Sequence, residues 1–147
     1  MATSFITRDG KHGFWIQDHL MQVVCWGILI GFDKNPEYKQ NFDQEFLETI
    51  YSNSQGFFIG FMHLRLEDFV YSEERERDFL FILTQAKSFF SSRGDYLSIG
   101  ELNSFQVHSD TRREWVKPLE TRKVIGVLDV LIKIIKKEFW DEELYLE

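Results

Sequence analysis

The sequence predicts an all-α protein that folds as a single compact domain of five or six helices over residues 1–147. Three observations predict this fold class. Apolar residues recur at helical spacing in several long stretches. No Pro-, Gly- or Ser-rich linker and no internal repeat divides the chain. Its length is close to that of one ordinary domain, which is enough to bury a sizeable core.

The first half of the chain predicts a lead-in followed by two helices. Residues 1–13 are polar and carry two glycines, so we expect no regular structure there. From Phe14 to Ile30 apolar residues lie on all sides of the helical wheel, which predicts a central buried helix ended by Gly31. The next helix begins at Pro36. Its apolar stripe consists of Tyr38, Phe42, Phe46 and Ile50.

The stretch 57–70, with the sequence FFIGFMHLRLEDFV, fits either a buried strand or a helix. Periodicity does not separate the two in so apolar a run. No partner strand with an alternating pattern is evident elsewhere, so we expect a helix here.

Three helices are predicted in the second half. Ser72 is an N-cap residue ahead of a helix whose apolar face repeats at helical spacing. Ser98 and Glu101 form a capping box that predicts a short helix. The last long helix runs from about Leu119 to Phe139. The predicted buried residues of the first and last of these helices are Phe79, Ile82, Leu83, Ala86, Phe89 and Phe90, and Val124, Val127, Leu128, Leu131, Ile134 and Ile135.

The charges are unevenly distributed along the chain. There are 24 acidic and 17 basic residues, a net charge of −7, which argues against a whole-chain nucleic-acid binder. Residues 37–78 carry a net charge of −6, residues 112–137 carry +5 and residues 138–147 carry −5. Either these blocks are solvated faces that partly pair with each other, or the acidic blocks steer a basic protein partner.

Motifs for catalysis and cofactor binding are absent from the sequence. It contains no GxGxxG, GxxxxGK[ST], GxSxG or HExxH pattern. The single cysteine, Cys25, excludes an intrachain disulfide and a cysteine-based zinc site, and its apolar surroundings predict a buried residue. A metal pair at His12 and His19 would also need carboxylates that converge on it, and Asp18 next to His19 does not supply such a set. We therefore predict no metal site, no cofactor and no enzymatic activity.

The sequence also predicts where the protein is located and which partners it lacks. No apolar run reaches the roughly 20 residues that span a bilayer, and no signal peptide is visible, so we expect a cytoplasmic protein without a membrane partner. The cluster RREWVK (112–117) has the composition of a nucleic-acid contact. Because acidic blocks flank it, we predict no nucleic-acid partner.

The predicted partner-binding surface is an acidic face. Phe81 lies opposite the core face of its helix with Glu74 and Asp78 on the same side, and an aromatic ring among acids is typical of an interface anchor. The alternative is that this helix is covered on both sides, which would bury Phe81. The residues predicted to bind the partner are Asp43, Glu48, Glu74, Asp78, Phe81, Glu142 and Glu143.

Several of these features together resemble a known class of protein. The segments GFWIQD (13–18) and REWVKPLETRK (113–123), the acidic helical chain and the lack of catalytic motifs resemble small bacterial immunity proteins of contact-dependent growth-inhibition toxin systems. The resemblance implies that the protein binds and neutralises the C-terminal toxin domain of a cell-surface effector. Such a toxin is commonly a basic nuclease whose active site the immunity protein blocks. The resemblance carries over no binding residues.

Two other functions remain open at this stage. The chain could be a small helical enzyme or ligand-binding protein that uses His63 and nearby carboxylates, in which case a deep pocket should bring them together. It could also be a regulator that binds nucleic acid through the basic block 112–137, with strongly salt-dependent affinity.

Overall fold

The computed structural model describes residues 2–58, 60–107, 114–138 and 145–146. Within these ranges the chain forms seven helices and five short strands, so the prediction of an all-α fold is wrong. The helices are α1 (Asp18–Lys34), α2 (Pro36–Lys39), α3 (Gln44–Gln55), α4 (Leu66–Phe69), α5 (Glu73–Ser91), α6 (Ile99–Ser104) and α7 (Thr121–Ile135). The strands are β1 (Thr3–Thr7), β2 (Gly13–Gln17), β3 (Tyr96–Leu97), β4 (Leu119–Glu120) and β5 (Tyr145–Leu146).

A small sheet replaces the predicted lead-in and the first turn of the predicted first helix. Strands β1 and β2 form an antiparallel hairpin with Phe5 opposite Trp15, and β5 pairs in parallel with β2. In β2 the side chains of Phe14 and Ile16 are buried, while Trp15 between them is half-buried. This alternation is the period of a strand. The helix predicted from Phe14 therefore starts four residues later.

Arg8, directly after β1, joins the hairpin to two distant helices. Its Nη1 donates to the carbonyl oxygen of Ile135 at the end of α7 (2.7 Å), and its Nη2 donates to the carbonyl oxygen of Val70 (3.4 Å). The same guanidinium forms an ion pair with Glu76 in the first turn of α5. Because Arg8 satisfies a carbonyl that α7 leaves unpaired at its C-terminus, it caps this helix.

The central helix α1 packs closely against α5 at two glycines. A Cβ atom on Gly27 would lie 2.2 Å from Cε2 of Phe90, and one on Gly31 would lie 3.0 Å from the carbonyl oxygen of Ile82. The prediction that Gly31 ends the helix is wrong, because α1 continues to Lys34. These glycines lie four residues apart on one helix face and make room for α5.

Phenylalanines fill the core between α1, α3 and α5. The ring of Phe32 lies 5.1 Å from that of Phe42 and 6.4 Å from those of Phe46 and Phe79, measured between centroids. The predicted apolar stripe is thus buried at Phe42, Phe46 and Ile50. The helix that carries it is interrupted, because α2 ends at Lys39 and α3 begins at Gln44.

The later helices agree more closely with prediction. Ser72 Oγ accepts a hydrogen bond from the N–H of Arg75, and Ser98 Oγ accepts one from the N–H of Glu101, which confirms both predicted N-caps. All the residues predicted for the buried face of α7 are buried. The predicted α5 face is buried as well, except for Phe89, which is half-buried.

The close packing at Gly27 gives a stability prediction with an internal control. Gly27→Ala is expected to destabilise the protein by about 1–3 kcal/mol, because the new methyl group overlaps Phe90. Gly126→Ala in α7 is expected to stabilise it by about 0.5–1 kcal/mol, because nothing lies within 4 Å of the added Cβ and alanine favours the helix. Urea denaturation of both variants measures these changes, and equal shifts would contradict the packing role of Gly27.

The buried thiol of Cys25 gives a second prediction. Burial raises the pKa of this thiol well above its ordinary value. We expect the native protein at pH 8 to react with a thiol reagent no faster than it unfolds, and the urea-denatured protein to react at once. Fast labelling of the native protein would contradict the burial of Cys25.

Candidate functional site

The segment between α3 and α4 is extended and presents two side chains to solvent. Phe61 and His63 are exposed, while Met62 and Leu64, which alternate with them, are buried. This alternation is that of a strand, although no strand pairs with the segment in the described part of the chain. The helix predicted over 57–70 is therefore restricted to the single turn of α4.

Two side chains hold this segment in place. The N–H of Met62 donates to Ser4 Oγ (2.8 Å), and the Ser4 hydroxyl donates to Asp18 Oδ1 (2.6 Å). Asn53 Nδ2, from α3, donates to the carbonyl oxygen of His63 (2.9 Å). Ser4, Asp18 and Asn53 are all buried. These hydrogen bonds therefore fix the backbone that carries Phe61 and His63 to β1, α1 and α3.

A groove of about 420 Å³ lies between this segment and α3, and we call it the α3 groove. Phe61 is 64% exposed and Phe57 is 42% exposed, so the groove presents two aromatic rings close together in sequence. The residues that line the groove are Glu45, Glu48, Thr49, Ser52, Asn53, Phe57, Phe58, Phe61 and His63.

A second groove of about 500 Å³ lies on the other side of α3, against α1. Its wall is mostly apolar and includes Trp26, Leu47 and Phe105. Glu48 lines both grooves. The exposed face of α3 thus separates the two grooves, and Glu48 lies on this face.

The carboxylates of this face differ in how they are compensated. Glu45 pairs with Arg65 (2.6 Å), whose Nε also donates to Asp68 (3.0 Å). The hydrogen bond to Glu45, and then that to Asp68, raise the pKa of Arg65. Glu48 is exposed and makes no ion pair within the described ranges. The α3 groove therefore carries a net negative charge.

Three of the predicted acidic residues lie elsewhere, around Arg75. Asp43 pairs with Arg75 (3.3 Å), and Asp78 is buried and accepts a hydrogen bond from Asn41 (3.2 Å). Glu74 is exposed. Asp78, Glu74 and Arg75 line a smaller pocket of about 320 Å³. The structure thus separates these residues from Glu48 and satisfies two of them internally.

Phe81 and the C-terminal acids complete the predicted set. Phe81 is half-buried and stacks on Tyr38 of α2, with 4.2 Å between ring centroids. The most exposed phenylalanine in the described ranges is instead Phe61. Glu142 and Glu143 lie outside the described residues.

His63 lies in the α3 groove together with Glu45 and Glu48. It does not share a helix with Glu67, because α4 begins only at Leu66. No group of three histidine, cysteine, aspartate or glutamate side chains within the described ranges is placed to hold a metal ion. None of the helices described for this chain is both long and apolar enough to cross a membrane.

Sequence reasoning missed Phe57 and Phe61 as surface residues. The signal was present, because the polar His63 and Arg65 alternate with Met62, Leu64 and Leu66. Such alternation marks a segment with one buried and one exposed side. It places Phe61 on the exposed side.

Comparison with known proteins finds no matching protein-family model, curated protein or solved structure.

The hydrogen bonds of Ser4 give a prediction about this site. Ser4→Ala leaves both Asp18 and the Met62 N–H without their buried partner and is expected to cost about 1–3 kcal/mol of stability. Ser88→Ala on the exposed side of α5 is the control and should change stability by less than about 0.5 kcal/mol. Chemical denaturation measures the stability of both variants. In amide NMR spectra, Ser4→Ala should shift the signals of residues 61–64 the most. Equal stability of the two variants would contradict the role of Ser4.

Proposed function

We propose that the protein is a bacterial immunity protein that binds and neutralises a cognate toxin domain, a basic nuclease being the class that fits the charge best. The observation that carries the proposal is the exposure of Phe61 in the α3 groove, which the Glu48 carboxylate also lines. Exposed aromatic side chains supply much of the binding energy in protein interfaces. The net charge of −7 would attract a basic partner.

The proposed mode of action is steric and electrostatic. A nuclease active site is lined by basic side chains that receive phosphates, and a carboxylate surface competes for the same groups. The acidic face speeds the encounter, and the exposed rings slow dissociation. No bond is made or broken, and the complex excludes the nucleic acid from the toxin. In this proposal the protein acts in the cytoplasm, where an incoming toxin would find its target.

The rigidity of the groove supports the proposal. Because the backbone of residues 61–64 is held by Ser4 and Asn53, Phe61 loses little conformational freedom when a partner covers it. Among the other predicted contact residues, Glu74 is exposed and adds to the steering field. Asp43 and Asp78 already have internal partners, and we assign them a smaller part.

A second candidate function is that of a small enzyme or ligand-binding protein. The observation in its favour is that His63, Glu45 and Glu48 line one groove. His63→Gln separates the two candidates. If the protein is an inhibitor, the variant is expected to weaken toxin binding only slightly, because Phe61 and Glu48 remain in the groove. If His63 is the reacting group, the variant is expected to abolish turnover or ligand binding.

Charge reversal tests the proposed function. Where an effector gene lies next to the gene of this protein, its toxin domain is the partner to test. Glu48→Lys is expected to slow association with that domain by about tenfold at low salt. Glu67→Lys is the matched control, because Glu67 is also exposed but lies on α4 outside the groove. Its association rate should change much less.

The measurements are surface plasmon resonance of the purified pair and growth of cells that express both proteins. Phe61→Ala is expected to raise the dissociation rate and to weaken binding by about fivefold or more. If the wild-type protein neither binds nor protects against a toxin domain from the neighbouring effector gene, the proposed function is wrong. Equal effects of Glu48→Lys and Glu67→Lys would exclude the α3 groove as the contact surface.

A further inference from the structure

Arginine, an aromatic ring and a carboxylate form a recurring arrangement on this protein. The guanidinium carbon of Arg65 lies 4.9 Å from the centroid of the Phe69 ring, while its Nη1 lies 2.6 Å from Glu45. Two more such sets occur in the described residues: Arg93 with Phe89 and Glu101, and Arg75 with Phe42, Tyr71 and Asp43. In each set the planar cation is stacked and paired at once.

The α3 groove presents two of these three components. Phe61 offers an exposed ring, and Glu48 offers a carboxylate that no basic side chain of the described residues pairs with. Lys39, which shares the second groove with Glu48, is 2.7 Å from Asp33. No side chain among the described residues supplies the cation that would complete this set.

We infer that the α3 groove binds an arginine side chain of the partner protein, stacked on Phe61 and paired with Glu48. This inference rests on the proposed function and specifies the partner's chemistry at that site. Arginine fits better than lysine, because a guanidinium is planar, stacks on rings and pairs with a carboxylate through two hydrogen bonds.

The nearby charge of Arg65 does not oppose this arrangement. Its guanidinium is paired with both Glu45 and Asp68, so the rim of the groove stays negative. The exposed carboxylate of Glu48 and the paired one of Glu45 therefore attract a second cation.

The first test uses a small probe without the partner. The isotopically labelled protein is titrated with N-acetyl-arginine methylamide and, as the matched control, with its neutral citrulline analogue. We expect millimolar binding of the arginine compound, with NMR shifts confined to the α3 groove, and markedly weaker binding of citrulline. Equal binding of the two compounds, or arginine shifts centred elsewhere on the protein, would overturn the inference.

Variants locate the two contacts. Glu48→Gln and Phe61→Leu are each expected to lower the affinity for the arginine compound by about two- to fivefold. Glu48→Gln loses the ion pair, and Phe61→Leu loses the ring face. Glu67→Gln should bind it like the wild type. Unchanged binding by both groove variants would overturn the inference.

Failure of this inference can be distinguished from failure of the proposed function. If the protein neutralises its toxin while the arginine compound does not bind the groove, only the inference fails. If the arginine compound binds as expected and no toxin is neutralised, the arginine chemistry of the groove stands and the proposed function fails. The partner's surface arginines are then replaced one at a time with lysine, and each variant is tested against the wild-type protein and against Glu48→Gln. The arginine that binds the groove is the one whose replacement weakens binding to the wild-type protein but not to Glu48→Gln.

Discussion

The hydroxyl group of Ser4 is the constraint on which fold and surface both depend. It accepts a hydrogen bond from the backbone of Met62 and donates one to Asp18 at the start of α1. Because the buried hydroxyl donates one hydrogen bond and accepts another, neither Met62 nor Asp18 can move far without breaking one of them. The hairpin, the central helix and the extended segment 61–64 therefore share Ser4 Oγ as a common hydrogen-bonding atom.

That constraint explains how two aromatic side chains can remain exposed on a stable protein. The extended backbone turns Met62 and Leu64 into the core and, with the same geometry, turns Phe61 and His63 outwards. The energy gained by burying one side offsets the exposure of the other. On α5 the corresponding ring of Phe81 is half covered by Tyr38, because α2 lies across it. Phe61 and Phe81 thus differ in exposure because the extended backbone turns Phe61 outwards, whereas Tyr38 stacks on Phe81.

Local patterns therefore predicted some elements and not others. Helices α5 and α7 were predictable, because their apolar stripes are long, and the start of α5 also carries the N-cap residue Ser72. The hairpin was not, since five-residue strands give a weak pattern. The pairing of β5 with β2 was not predictable either, because it joins distant parts of the chain. Glu48 was correctly expected to be exposed, whereas the ion pair of Asp43 and the burial of Asp78 depend on where Arg75 and Asn41 lie in the folded protein. Spacing within one segment does not contain that information.

The contacts of Arg8 and of β5 have a consequence for biogenesis. Arg8 binds a carbonyl group 127 residues further along the chain, and β2 obtains its parallel neighbour only from residues 145–146. A nascent chain emerging from the ribosome can form the hairpin and pack α1 on α5 early, but it cannot make these two contacts until Ile135 and residues 145–146 have been synthesised. During that interval one edge of β2 keeps its backbone groups available to neighbouring polypeptides, so the partly made chain is more exposed to aggregation until β5 covers that edge.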